Sequence, residues 1–289
     1  MLNIHPFRRV TQIFGVLITN AYLVVAFRCS IYTGAFKSVC LPFLYCHSCP
    51  SAGFACPIGV MQHYSAIHRF PFFLVGHLML IGVLVGRMVC GWVCPVGLAQ
   101  ELLYKIKSPK IKLPKELWVL PFIMLIVFAI ILPYITTEHW FSKLCPVGMV
   151  VAGIPWVVWN PVNPITGEPT ILPGTVGWLF LLKIFILIVV LVLVVISKRP
   201  FCKYICPLGL FWGFFNRASI MKLEVLPTCT KCDTCNDICP EGIVVYEEPN
   251  SGECVRCMEC LKCQHVKLVN TLGREKSEPG PEVKTEGKA

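Results

Sequence analysis

Cysteines at tight, recurring spacing are the residues in this chain most able to do chemistry. Cys229-x2-Cys232-x2-Cys235-x3-Cys239-Pro240 is followed, after a short loop, by Cys254-x2-Cys257-x2-Cys260 and then Cys263. Runs of this spacing hold pairs of [4Fe–4S] clusters, the fourth cysteine of one run ligating the cluster of the other. The expected sets are Cys229, Cys232, Cys235 and Cys263 for one cluster, and Cys239, Cys254, Cys257 and Cys260 for the second. C-x2-C pairs also bind zinc, but interleaved runs of eight thiols favour iron–sulfur. One position departs from the usual run: only two residues separate Cys260 from Cys263, and Gln264 stands where proline is usual.

A second pattern occurs twice. Arg87-x2-Cys90-x3-Cys94-Pro95-x-Gly97-Leu98 is repeated as Arg199-x2-Cys202-x3-Cys206-Pro207-x-Gly209-Leu210. Thiols four residues apart share one face of a helix. Two such pairs brought together about a pseudo-twofold axis would hold a third [4Fe–4S] cluster with Cys90, Cys94, Cys202 and Cys206; zinc and paired structural thiols compete. The shorter element C-P-x-G also occurs at Cys56 and at Cys145. Together with Cys46 and Cys49 these make a further four-thiol group, open between a fourth cluster, copper and disulfides in an oxidising compartment. Cys29 and Cys40 have no motif context and are expected to be packing residues or a disulfide pair. Covalent haem is not expected, because no C-x-x-C-H occurs.

The elements that must position these thiols are apolar. Of 289 residues 55% are hydrophobic and only 15% charged, and the mean hydropathy is +0.68. An ordinary soluble domain carries about 25% charged residues, so a purely soluble protein is nearly excluded. The net charge of +10 fits basic loops at a membrane surface better than nucleic-acid binding. Four apolar stretches approach the roughly 20 residues that a bilayer crossing needs: Val10–Phe27, Phe72–Val89, Leu117–Ile135 and Val176–Ile196. No small-x-small site follows the first, which disfavours a signal peptide. Thirteen Lys and Arg residues flank one side of these stretches and four the other, which puts both termini in the cytoplasm and the loops 28–71 and 136–175 outside. The expected fold is a membrane all-α domain over 1–215, four transmembrane helices in two repeated hairpins. A small α+β two-cluster ferredoxin domain follows over 216–270. Residues 271–289 are too rich in Lys, Glu, Pro and Gly to bury a core and are expected to be disordered.

Four helices, paired C-x3-C-P motifs and a C-terminal two-cluster module resemble the NapH family, up to about Asn270. These are membrane subunits of the quinol dehydrogenase that serves periplasmic nitrate reductase, within a wider superfamily that includes NosR and CcoG types. The chain shows neither the periplasmic flavin-binding domain of the NosR type nor the immunoglobulin-like domain of the CcoG type. The resemblance implies an electron-transfer subunit in the cell's inner, cytoplasmic membrane. It would pass electrons between the quinone pool or membrane clusters and two cytoplasmic [4Fe–4S] clusters. Implied partners are a soluble iron–sulfur protein or a multihaem cytochrome, the quinone pool and membrane lipid; nucleic acid is not among them. Glu138, His139, His63 and His68 are candidate proton acceptors, and His77 is an intramembrane residue expected to bond a neighbouring helix or lie near a quinone. The competing function is an accessory protein that reduces or delivers copper to a partner oxidoreductase; a thiol–disulfide carrier is a third, weaker reading.

Overall fold

The structure, a computed structural model, describes residues 4–22, 32, 34–111, 113–160, 177–263 and 265–271. Cys29, Gln264 and all of the expected tail except Thr271 lie outside the described residues.

The chain is mostly helical. Among the described residues two helices are long and apolar enough to cross a membrane: Glu116–Thr136, of 21 residues and mean hydropathy 2.6, and Trp178–Ile196, of 19 residues and mean hydropathy 3.5. Phe72–Val85 and Pro146–Val158 are apolar but shorter. The first expected span begins earlier and stops earlier, as the helix Ile4–Thr19. Its end is marked by side chains that take its last carbonyls: Thr19 Oγ1 donates to the Gly15 carbonyl and Asn20 Nδ2 to that of Val16, both at 2.9 Å. The second span stops at Val85 rather than Val89, because Gly86 turns the chain at φ +58°. Only glycine fits there: a Cβ would stand 2.6 Å from Asn216 Oδ1.

The stretches expected to be outer loops are partly helical, over Pro57–Ala66, Trp140–Leu144 and Pro146–Val158. Two helices carry π-helical segments, Met124–Ile131 and Met149–Gly153. Each ends two residues before a proline, Pro133 or Pro155. Proline has no N–H to give and its ring clashes with the carbonyl four residues back. The wider π turn takes up that mismatch.

Residues 40–56 form neither helix nor strand, yet Phe43, Leu44, Tyr45 and Ala52 are buried. Irregular backbone in an apolar interior must find partners for its polar groups. Here they come from outside the loop. The fully buried Trp212 donates from Nε1 to the Pro42 carbonyl at 3.1 Å, Trp156 to that of Ser48 at 2.8 Å, and Lys37 Nζ to those of His47 and Ala52 at 2.6 and 3.1 Å. The loop is thereby folded inward against the C-x3-C-P helices.

The C-terminal module begins with the strand β1 (Met221–Val225), paired antiparallel with β2 (Val266–Asn270) in the register Leu223↔Leu268. The helix Pro207–Ala218 leads directly into it. Val255 and Cys257 of the module share one buried apolar cluster with Leu78, Val194, Phe201 and Trp212. The module is therefore fused to the helices by a common core.

Close packing at the repeats makes a testable contrast between two glycines. At Gly209 a Cβ would lie 2.6 Å from the Cys202 carbonyl, whereas nothing lies within 4 Å of one at Gly76. Gly209→Ala is expected to cost roughly 1–3 kcal/mol, while Gly76→Ala, inside a helix, gains about 1 kcal/mol. Denaturant unfolding of both variants in detergent checks the pair; equal effects would contradict the packing described.

Candidate metal centre

The C-P-x-G element has a physical reason. Cys56, Cys94, Cys145 and Cys206 are each the N-cap of a helix with proline as its first residue. A residue before proline is held extended, which is the backbone an N-cap needs, and proline's fixed φ starts the helix. At Cys206 the sulfur then takes the place of the usual capping oxygen: the Gly209 N–H donates to Cys206 Sγ at 3.4 Å. Cys94, Cys56 and Cys145 make no such cap bond, but the N–H groups of Val96 and Gly97, of Ile58 and Gly59, and of Val147 and Gly148 lie close enough to favour each thiolate. The positive end of a helix also favours a thiolate. Glycine completes the element at the repeats, because a Cβ at Gly97 would sit 2.8 Å from the Cys90 carbonyl, as one at Gly209 would from that of Cys202.

Cys90, Cys94, Cys202 and Cys206 are all buried and lie within electrostatic range of one another. The two repeats brace each other by exchange. Arg87 of the first lies over Gly209 of the second and donates to the Cys202 carbonyl at 2.5 Å and the Gly252 carbonyl at 2.8 Å. Arg199 of the second lies near Gly97 of the first, bonded to Glu101 and, at 3.0 Å, to Glu241. Gln100 Nε2 donates to Cys202 Sγ at 3.0 Å, while its Oε1 accepts from the Phe201 N–H. Burial pushes the Cys90 thiol up to about 11, although Arg87 pulls the other way, and raises Cys206 further. Four thiolates in this space therefore need the charge of bound metal to remain deprotonated.

In the C-terminal module the thiols fall into two groups. Cys235 neighbours Cys229, Cys232 and Cys263, and Cys239 neighbours Cys254, Cys257 and Cys260. The groups differ in exposure. Cys232 is exposed and Cys229 and Cys263 partly so, whereas Cys239, Cys254, Cys257 and Cys260 are buried. The buried group faces the helices: Asn216 Nδ2 donates to the Cys254 carbonyl at 2.7 Å, Lys198 Nζ to that of Cys239 at 2.9 Å, and Trp92 Nε1 to that of Arg256 at 2.9 Å. Gly91 is required beneath it, because a Cβ there would meet the Val255 carbonyl at 2.4 Å.

Among the described residues, no three His, Cys, Asp or Glu side chains close on a single ion, and none of the described cysteines is in a disulfide. All-thiolate sets suit iron–sulfur.

The family described as "4Fe-4S binding domain" matches residues 53–72, 67–114 and 177–224. These segments contain Cys56 and both C-x3-C-P repeats. The chain is 32% identical over 200 residues to uncharacterized protein MJ0750 of Methanocaldococcus jannaschii, covering 65% of this chain and 74% of that protein. It is 26% identical over 172 residues to the methylamine utilization ferredoxin-type protein MauN of Methylorubrum extorquens, covering 56% of this chain and 50% of MauN. Over 213 residues it is 22% identical to the ferredoxin-type protein NapH of Haemophilus influenzae, covering 65% of this chain and 64% of NapH. This chain belongs to the NapH-type ferredoxin family. It spans half to under two thirds of the two ferredoxin-type relatives, and no solved structure matches it.

In this NapH-type chain the thiols of the expected Cys46, Cys49, Cys56 and Cys145 group are neighbours. Cys46, Cys56 and Cys145 lie together. Cys49 neighbours Cys46 but also contacts Ser51 Oγ at 3.3 Å and Tyr45 Oη at 3.7 Å. Cys40 neighbours Cys56 from the other side. Motif spacing gave no signal for Cys40; the loop's inward fold brings it there. His77, by contrast, is half-buried and stacks on Phe73 with ring centroids 6.2 Å apart.

Iron content tests whether the Cys90–Cys206 group holds a cluster. Cys202→Ser/Cys206→Ser is expected to release about four iron and four sulfide per chain, leaving the spin-coupled signal of the C-terminal pair intact in electron paramagnetic resonance. Cys40→Ser and Cys49→Ser, compared by the same iron count, identify the fourth outer ligand.

Proposed function

We propose that the chain is an integral-membrane iron–sulfur electron-transfer subunit of a multiprotein redox complex. Its helices cross the membrane four times with both termini in the cytoplasm, as the Lys and Arg bias directs. The span that begins at Phe72 is continued past Gly86 by the short helix Met88–Trp92. Cys229, Cys232, Cys235 and Cys263 hold one [4Fe–4S] cluster and Cys239, Cys254, Cys257 and Cys260 a second. Cys90, Cys94, Cys202 and Cys206 hold a third, and Cys46, Cys56 and Cys145, with Cys40 or Cys49, a fourth.

One observation carries this reading: the thiol groups follow one another through continuous packing. The exposed Cys232 group adjoins the buried module group through Cys235 and Cys260. Cys257 of that group shares a core with Cys90, Cys202 and Cys206. Cys94 then packs in one apolar cluster with Tyr45 and Cys49, beside Cys46. Tunnelling falls off steeply with distance, and a hydrocarbon core is about 30 Å thick. The inward loop 40–56 shortens that gap. The exposed end at Cys232 is the surface a soluble redox partner would meet.

An apolar cavity of about 440 Å³ lies between the helices Pro95–Leu103, Pro146–Val158 and Trp178–Ile196. Its few polar groups are Asn20, Tyr45 and Gln100, the composition of a site for a mostly apolar ligand with a polar head. Gln100 touches both the cavity and Cys202 Sγ, so a quinone bound there borders the third cluster. Bound clusters supply one-electron carriers. The chain's residues orient the quinone and exclude water, with Asn20, Tyr45 and Gln100 as the polar groups that face it.

The test is reduction of the clusters by a short-chain quinol in anaerobically purified protein, followed by absorbance. Gln100→Leu should retain its iron and slow reduction by about tenfold, the effect of one lost hydrogen bond of about 1.4 kcal/mol. Unchanged clusters in the presence of quinol, with stoichiometric cuprous copper on the outer thiols, would instead support the accessory function.

A further inference from the structure

A cleft of about 340 Å³ opens between the ferredoxin module and the N-terminal end of the helical part. Six cationic side chains line it: Arg8, Arg9, Lys105, Lys198, Arg199 and Lys262. They outnumber the carboxylates that reach them. Arg8, Arg9 and Arg199 share the carboxylate of Glu101, at 2.9 Å for Arg8 and 2.6 Å for Arg9, and Arg199 also takes Glu241 at 3.0 Å. Glu259 is taken by Lys262 at 2.8 Å and lies 3.8 Å from Arg8 Nε. Among the described residues no carboxylate pairs with Lys105 or Lys198; Lys198 reaches only the Cys239 carbonyl. Arg8 and Arg199 are 2% and 1% exposed, and the Nε of each has no hydrogen-bond partner. A buried guanidinium with an unmet donor carries a desolvation cost that an anion offsets.

We propose that this cleft binds a phosphate-bearing anion, clamped by Arg9 and Lys105 at its mouth and by the unmet donors of Arg8 and Arg199 within. The arrangement asks for more than one acceptor oxygen, because the donors come from four separate side chains. Phosphate meets that demand with several oxygens around one centre. An anionic phospholipid headgroup is the source the surroundings favour. Leu102 and Ile106, on either side of the residues bearing Tyr104 and Lys105, are each 51% exposed and offer acyl chains an apolar surface. Basic pockets on the cytoplasmic side of membrane helices take such headgroups. The lipid source rests on the membrane-embedded reading of the helices; free phosphate does not. Arg199 also acts on Cys90 and Cys202, so an occupant of the cleft sits one side chain away from the C-x3-C-P thiols.

The experiment uses the full chain, delipidated in neutral detergent, with iron content measured as the control for folding. Protein is presented with nanodiscs of phosphatidylcholine alone or containing phosphatidylglycerol, and separately with inorganic phosphate, and bound phosphorus is counted per chain. Saturable uptake of about one phosphatidylglycerol, weakened roughly thirty-fold in Arg9→Gln/Lys105→Gln and restored in Arg9→Lys/Lys105→Arg, establishes a lipid headgroup site. Inorganic phosphate binding with the same sensitivity to these variants establishes the site with free phosphate as its source. Uptake indifferent to lipid charge, with no variant-sensitive binding of phosphate, overturns the proposal. None of these readouts depends on quinol reduction, so this proposal and the electron-transfer function fail separately.

Discussion

A sulfur anion is unstable in an apolar interior unless dipoles or cations are aimed at it, and the architecture is organised around that constraint. Burial alone favours the neutral thiol. The chain answers with the same local device four times: a cysteine N-cap and a proline that starts the helix, which set the N-terminal end of a helix at the sulfur. Each device fixes a helix start in space as well as a ligand. Helix positions and ligand positions are consequently one set of constraints. This explains why short helices such as Pro95–Leu103 begin where they do, although no long apolar run specifies them.

The same constraint fixes how the module docks. Its interface with the helices is polar and directional, built from Asn216, Lys198, Trp92 and Arg256 reaching backbone carbonyls. Such bonds specify an orientation more sharply than apolar contact does. The orientation they specify buries the Cys239 group against the helices and leaves the Cys232 group outward. A module on a flexible linker would have no fixed order of thiol groups.

Much of the chemistry is legible in the sequence because it is local. Spacing within Cys229–Cys239 and Cys254–Cys263 reflects ligands contributed by one short loop, and the repeated C-x3-C-P reflects one helix end. The apolar runs that became Glu116–Thr136 and Trp178–Ile196 are equally plain. What spacing does not carry is contact between segments far apart in the chain. Cys40 is a neighbour of Cys56 only because loop 40–56 folds inward, and that depends on donors from Trp212, Trp156 and Lys37. Gln100 sits at an unremarkable position in its helix and meets Cys202 through tertiary packing alone. The stretch 136–175 reads as a loop between apolar spans, yet it contains the helix Pro146–Val158, in which a π segment accommodates Gly153 and Pro155.

The point where the two repeats differ shows why the helical part and the module form one body. Arg87 and Glu101 stand in the first repeat where Arg199 and Gly213 stand in the second. By symmetry each arginine needs an acceptor from the opposite repeat. Arg199 finds it in the Glu101 side chain. Arg87 would look to position 213, but glycine has nothing to offer. The place is filled from the module: the Gly252 carbonyl accepts from Arg87 Nη1 at 2.8 Å and lies 2.7 Å from where a Cβ on Gly213 would be. A side chain at 213 would push Gly252 away and strand a buried guanidinium donor, at a cost of about 1–3 kcal/mol. A backbone carbonyl of the C-terminal module thus does for the second repeat what a carboxylate does for the first. The pseudo-symmetry breaks at the surface where the module sits, and the bracing around the Cys90–Cys206 thiol group is completed by the module's Gly252 carbonyl.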